Sequence, residues 1–170
     1  MKLDEFCMRL HASLSAAPAD EDKLETAATL VSRAFSVKPD EVAVFLLDPT
    51  GESLHFIWPR RLRDAGTVPL SAANPLVART AREKKGFLNN SFAVTPHASF
   101  FELFRGTEPQ TLPIQKIMSV PLTREGQVTG VLQVCRKAED VASAGADFSR
   151  NELLALEKIA VTIGVFLHPY

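Results

Sequence analysis

This chain has few cysteines, almost no excess of positive or negative charge, and no apolar run long enough to span a membrane. Two cysteines, Cys7 and Cys135, occur in 170 residues, fewer than a disulfide-stabilised secreted scaffold would carry. The formal net charge of -1 gives no long-range attraction to nucleic acid or an anionic membrane. The longest apolar stretch, residues 159–167, is too short to cross a bilayer, and the acidic N-terminus has no apolar signal segment. We therefore expect a cytoplasmic protein with neither a nucleic-acid nor a membrane partner.

Motifs that carry catalysis are missing as well. No Ser-His-Asp order and no Gly-rich phosphate loop is visible, and no pair of His or Cys has metal-ligand spacing. Cys7 falls in a helical pattern and Cys135 in an apolar strand pattern, which is typical of packed thiols. We predict no catalytic residues, no metal site and no enzymatic activity, and the identity of any cofactor stays open.

The composition that remains is that of one globular domain. Hydrophobic residues make up 46% of the chain and charged residues 23%, which is enough apolar material for a core and too little charge for disorder. We predict an N-terminal helix within residues 1–20 and a single domain over residues 21–170.

Two hairpins are predicted from strand patterns that flank turn residues. Val42–Leu47 and residues 54–58 surround Asp48-Pro49-Thr50-Gly51, in which Pro fixes φ and Gly accepts positive φ. Residues 117–122 and 128–134 surround a second tight turn at 124–127. The main strands should therefore run antiparallel.

Helical patterns surround and separate the hairpins. A second helix follows Asp20, a third starts at Asn74-Pro75 and stops at Gly86, and the last runs over about 149–167 with Ser149 as N-cap. Residues 87–90 suggest a short strand. This order predicts an α/β (α+β) fold, with an antiparallel sheet of five to six strands and the terminal helices on one face.

The order of these motifs resembles that of the GAF domain, a ligand-sensing relative of the PAS fold. The specific segments are 117–122 (IMSVPL), Gly126 with 130–134 (GVLQV), 148–156 (FSRNELLAL), and 45–48 (FLLD) followed by 51–54 (GESL). Glu152 stands where the family usually has Asp. The resemblance covers roughly residues 22–167.

The resemblance implies a ligand pocket on the sheet face opposite the terminal helices, roofed by residues 60–115. Aromatic, amide and imidazole side chains there suit a flat heterocycle. The predicted ligand-binding residues are Trp58, Asn89, Asn90, Thr95, His97, Phe100, Phe101, Phe104 and Arg105. The same phenylalanines would equally serve to plug the cavity, so both interpretations stay open.

The resemblance also sets the function classes. The first is a non-catalytic signalling module that binds a small molecule and acts through dimerisation or an effector protein. The second is an interaction module with a closed pocket. A redox enzyme of the free methionine sulfoxide reductase type ranks last, because the family's cysteine set is missing. Arg136-Lys137 stands where cyclic-nucleotide-binding members carry Asn-Lys, which weakens that ligand class.

Two surface predictions complete the sequence analysis. The last helix carries a second apolar row, made of Leu154, Val161, Val165 and Leu167, which predicts a homodimer through the terminal helices. The alternative is that the first helix covers this row within one chain. A basic group is expected to be a solvated face and consists of Arg60, Arg61, Arg63, Arg79, Arg82, Lys84 and Lys85.

Overall fold

The computed structural model describes residues 2–95 and 112–168. In those parts of the chain the helices are α1 (Leu3–Ala16), α2 (Asp20–Ala34), α3 (Leu76–Glu83) and α4 (Arg150–Gly164). The strands are β1 (Val42–Leu47), β2 (Ser53–Trp58), β3 (Thr67–Pro69), β4 (Phe87–Asn89), β5 (Ile114–Arg124) and β6 (Gln127–Lys137). None of the described helices combines the length and the apolar character needed to cross a membrane.

The strands form one six-stranded sheet in the order β3-β2-β1-β6-β5-β4, and every neighbouring pair is antiparallel. This confirms the predicted fold class. The β5–β6 turn has Glu125 at φ 51° and Gly126 at φ 78°, two successive left-handed residues that match the twist of a hairpin. The two strands of this hairpin are longer than their sequence pattern indicated, since β5 begins at Ile114 and β6 ends at Lys137.

Strand alternation divides the apolar side chains between two cores. Residues of even number in β1, such as Val42 and Val44, face α1, α2 and α4, whereas Ala43 and Phe45 face the other way. We call the first group the helix-side core; it also contains Leu10, Val31, Met118, Leu132 and Ile159. The second group is the far-side core: Ala43, Phe45, Leu54, Phe56, Leu62, Val68, Val77, Ala78, Ala81, Phe92, Ile114, Ile117, Val131 and Cys135.

The start of α4 is fixed by local and long-range contacts. Ser149 accepts a hydrogen bond from the Glu152 amide at 3.1 Å, and Glu152 accepts one from the Ser149 amide at 2.7 Å. This reciprocal capping box confirms Ser149 as the N-cap. Just before it, the buried Lys116 ammonium donates to the Gly145 carbonyl at 2.6 Å and pairs with Asp147 at 2.7 Å.

The end of α3 differs from its prediction. Lys84, and not Gly86, takes the left-handed conformation that ends the helix, with φ 54°. A Cβ at Gly86 would meet the Glu157 carboxyl group of α4, the end of a flexible side chain that can move aside. Gly86 thus lies beside the last helix, after the residue that ends α3.

Candidate functional site

A row of side chains crosses the far side of the sheet under α3. The antiparallel register places Gln133 of β6 opposite Ser119 of β5 on one side and opposite Ala43 of β1 on the other. Ser119 is in turn opposite Phe87 of β4. Because directly opposed residues point to the same face, these four side chains lie on the far side.

Two hydroxyl groups and one amide in this region form a directed chain of hydrogen bonds. The Thr80 hydroxyl of α3 donates to the Leu76 carbonyl at 2.8 Å. A hydroxyl group has one proton, so the 2.7 Å contact between Thr80 and Ser119 is a bond that Ser119 donates. The Ser119 oxygen then accepts from the Gln133 amide nitrogen at 3.1 Å. Thr80, Ser119 and Gln133, which we call the polar relay, are all buried.

The relay leaves one strong acceptor unused. The Gln133 side chain is 4% exposed, and within the described parts of the chain its amide oxygen accepts no hydrogen bond. Its surroundings are apolar and aromatic, with the Phe45 and Phe56 ring centroids 4.3 Å apart on the same face. This oxygen is not one of the fully buried side-chain atoms that lack a partner, so it keeps some access to solvent and is open to a donor on a bound molecule.

Two of the sequence-predicted site residues meet next to this row. Asn89 is opposite Ile117 in the β4–β5 register and therefore faces the far side. Its amide nitrogen donates to the Thr95 hydroxyl at 3.1 Å, and its oxygen accepts from the Ser91 amide at 2.8 Å. Asn89 and Thr95 thus lie together at the edge of the sheet.

Two others lie on the opposite side of the sheet. Asn90 clamps the backbone of Phe148, donating to its carbonyl and accepting from its amide, each at 2.9 Å. Phe148 belongs to the helix-side core. Trp58 also packs against that core, and its indole nitrogen donates to the Pro39 carbonyl at 3.2 Å. Alternation along the strands therefore separates Trp58 and Asn90 from the far-side row. The remaining predicted residues, His97, Phe100, Phe101, Phe104 and Arg105, lie outside the described residues.

Sequence reasoning missed the polar relay, although a signal for it exists. Ser119 interrupts the apolar run of β5, and Gln133 interrupts that of β6. Both positions fall in the segments 117–122 and 130–134, which carry the family resemblance. A polar residue at an inward position of an apolar strand must find a partner, and matching these two positions across the hairpin register would have found the pair.

Five of the seven residues in the predicted basic group are paired with or hydrogen-bonded to neighbours. Arg60 pairs with Glu25 at 3.0 Å and Arg63 with Glu21 at 2.8 Å. Arg82 donates to the carbonyls of Leu70 and Ala72. On α3, hydrogen bonds from Arg79 and then Lys85 hold the pKa of the Glu83 carboxyl below its usual range.

The two cysteines lie on opposite sides of the sheet. Cys7 is half-buried against the helix-side core, whereas Cys135 is fully buried in the far-side core. The sheet between them prevents the two thiols from acting on one substrate. Among residues 2–95 and 112–168, no group of three or more His, Cys, Asp or Glu side chains is placed to hold a metal ion.

The chain is similar in fold to several solved structures. The GAF domain of a phosphoenolpyruvate-protein phosphotransferase from Acinetobacter matches with a TM-score of 0.71 at 16% identity, covering 96% of this chain and 91% of that one. The corresponding domain from Coxiella burnetii gives 0.73 at 12% identity, with the same coverage of 96% and 91%. Free methionine-R-sulfoxide reductase from Neisseria meningitidis, solved with its substrate, gives 0.65 at 15% identity over 96% and 87%.

At these identities the structural likeness shows the fold alone. Comparison with curated proteins gave no sequence match. The family model for the GAF domain matches residues 20–168. This range is most of the chain and includes every helix and strand except α1. The chain therefore belongs to the GAF domain family.

Proposed function

We propose that this GAF domain is a non-catalytic regulatory module that binds a small molecule on the far side of the sheet. The observation that carries the proposal is the polar relay itself, three buried and hydrogen-bonded polar side chains on the far-side face that end at the Gln133 amide. A core that served packing alone would have no need of three linked polar side chains there. GAF domains are generally sensory or regulatory, which agrees with this role.

The surroundings of the proposed site define the chemistry of its ligand. Gln133 offers an acceptor, so the ligand presents an N–H or O–H donor. Phe45 and Phe56 lie on the same face with 1% and 2% of their surface exposed, so a flat ring that stacks on them requires the far-side core to open. We retain Asn89 and Thr95 as proposed contacts at the sheet edge, together with the predicted residues His97, Phe100, Phe101, Phe104 and Arg105. Trp58 and Asn90 are left out because their side chains are engaged on the helix side.

The cyclic-nucleotide class loses support in this chain. Arg136 stands where the matching motif has Asn, and its guanidinium lies 4.6 Å above the Phe148 ring. It also donates to the carbonyls of Phe35 and Ser36 at 3.2 Å. These contacts hold the end of α2 on the helix side and leave the residue unavailable to a far-side ligand.

The proposed output is dimerisation through the terminal helices. Leu154, Val161 and Val165 of α4 are 51%, 55% and 49% exposed, so α1 does not cover them. With Lys158 between them, their spacing alternates four and three residues, as in a helix-pairing seam. Lys158 pairs with Asp4 of α1. Met8, one turn after Asp4 on α1, is 66% exposed and adds a further exposed apolar side chain to the terminal helices. Leu167 was wrongly included in this row, because it is buried in the helix-side core.

A second candidate is an interaction module whose far side is closed. Val77, Ala78 and Ala81 of α3, together with Phe92, pack into the far-side core directly beside the polar relay. In that case the relay would serve to anchor α3 on the sheet through Thr80. The redox-enzyme alternative has less support, because Cys7 and Cys135 lie on opposite faces.

Mass spectrometry of the freshly purified, denatured protein tests the ligand proposal, with an absorbance spectrum to detect haem or bilin. The wild type should release a small molecule, and Gln133→Leu should lose it. Gln115→Leu is the matched control, since Gln115 is as buried as Gln133 but its amide nitrogen donates to the Ala138 carbonyl and takes no part in the polar relay. The ligand proposal fails if the protein releases no small molecule and no fragment in an NMR screen shifts far-side resonances. The interaction module with a closed far side would then be the better assignment. We also retain the cytoplasm as the proposed location.

A further inference from the structure

An open groove runs between α1 and α2 on the outer surface of the helix layer. Its volume is about 650 Å³. Leu30 and Ala34 of α2 line it with partly exposed side chains, and the buried Phe6 and Leu10 of α1 form its floor. One wall, α1, precedes residues 20–168 that match the family model. The sheet separates the groove from the far-side ligand site, so the two would act independently.

Two unpaired cations face each other across this groove. Arg9 lines it from α1 and Arg33 from α2. Both are exposed, and neither makes an ion pair or a side-chain hydrogen bond with the residues that the structure describes. Arg60 and Arg63, by contrast, are paired with carboxylates of α2. The apolar groove thus carries positive charge on both walls at one end.

The groove continues with the opposite charge. A second cavity of about 430 Å³ shares Ser13 and Leu30 with the first and is bordered by Asp22 and by Glu25, whose carboxylate is already paired with Arg60. The same crease is therefore basic at the Arg9–Arg33 end and acidic at the other. A uniformly charged partner would suit only one end.

We propose that this groove binds one amphipathic helix of a partner protein. Two packed helices leave a straight crease between them, which a third helix fills with apolar side chains at i, i+3, i+4 and i+7. Charge complementarity places carboxylates of the partner between Arg9 and Arg33, where they would gain charge-assisted hydrogen bonds. This interaction would give the domain an output that does not depend on self-association.

Two synthetic helical peptides test the proposal. They share leucines at i, i+3, i+4 and i+7, and carry either Glu or Lys at the two positions that flank one end. Fluorescence anisotropy measures affinity, and ¹⁵N chemical shifts locate the contact. The Glu peptide should bind saturably, with shifts confined to α1 and α2, and the Lys peptide at least about tenfold more weakly. Arg9→Glu/Arg33→Glu should reverse that preference, while the exposed pair Arg61→Glu/Arg150→Glu should not.

Three outcomes would overturn the proposal. The first is the absence of saturable binding by the Glu peptide up to about 1 mM. The second is equal binding of both peptides, or shifts centred on Val161 and Val165 of α4. The third is a change in oligomeric state of the peptide-free Arg9→Glu/Arg33→Glu protein, which would make a second copy the occupant. Circular dichroism checks that the variants are folded, and the reversed preference for the Lys peptide would be a gain of binding that misfolding cannot produce.

Discussion

Ser119 is the residue on which the polar relay depends, because it joins Thr80 to Gln133. Ser119→Ala would leave the Gln133 amide nitrogen without its buried acceptor. We expect the free energy of unfolding to fall by about 1–3 kcal/mol, measured by urea denaturation. Ser71→Ala, at an exposed turn position, should change it by less than about 0.5 kcal/mol. A loss no larger for Ser119 than for Ser71 would contradict the relay.

Asn89 and Asn90 are adjacent in sequence but hold different parts of the molecule. Asn90→Ala removes both hydrogen bonds to Phe148, which should speed hydrogen exchange of the amides at 148–152. Asn89→Ala removes only the local bonds to Ser91 and Thr95, so it should leave those amides unchanged. Equal effects of the two substitutions on α4 would refute this division.

The same pair shows what sequence could and could not predict of the site. The sequence pattern placed both asparagines in a short strand over residues 87–90 and suggested both as ligand contacts, and Asn89 lies on the far-side face. Sequence alone gave no way to decide which of the two side chains faces which side, since alternation fixes only that they differ. The partner of Asn90 is Phe148, 58 residues later in the chain.

At the scale of elements, Gly164 ends α4 against the β5–β6 hairpin. A Cβ at this position would overlap the Thr123 carbonyl, a main-chain atom that cannot swing away. Gly164→Ala should therefore lower the unfolding free energy by about 1–3 kcal/mol, although alanine is the better helix former. Thermal unfolding measures this, with the exposed Asn151→Ala on the same helix as control. A stabilised Gly164→Ala protein would show that the hairpin relaxes away.

Turn chemistry explains why the hairpins were predictable, and buried polar residues explain why their limits were not. Gly51 and Gly126 mark both turns in the sequence. The sequence pattern gives residues 117–122 as the main strand, whereas β5 begins at Ile114 and includes Gln115 and Lys116. Both are buried, with their polar atoms satisfied by the Ala138 and Gly145 carbonyls and by Asp147. These partners are distant in sequence, so no local pattern contains them.

For the whole molecule, the exposed row on α4 predicts the oligomeric state. At micromolar concentration, light scattering should give a mass near twice the 18.6 kDa of the chain. Val161→Asp should yield the monomer, because it places a carboxylate in the centre of the apolar row. Val141→Asp is the control, because Val141 is also exposed but lies in the loop before α4, outside the apolar row. A monomeric wild type would remove dimerisation from the proposed function. Binding of a partner helix in the groove between α1 and α2 would then be the remaining proposed output.

Because the sheet separates the two cysteines, the rates at which their thiols react report separately on the opening of the two cores. Cys7 is half-buried, whereas Cys135 is fully buried in the far-side core. A thiol-reactive dye should therefore label the chain in two phases, the slow one timed by opening of the far side. Cys7→Ser should abolish the fast phase alone, and a far-side ligand should lengthen only the slow one. Labelling of both thiols at one rate would mean that the two cores open together, in a single cooperative event.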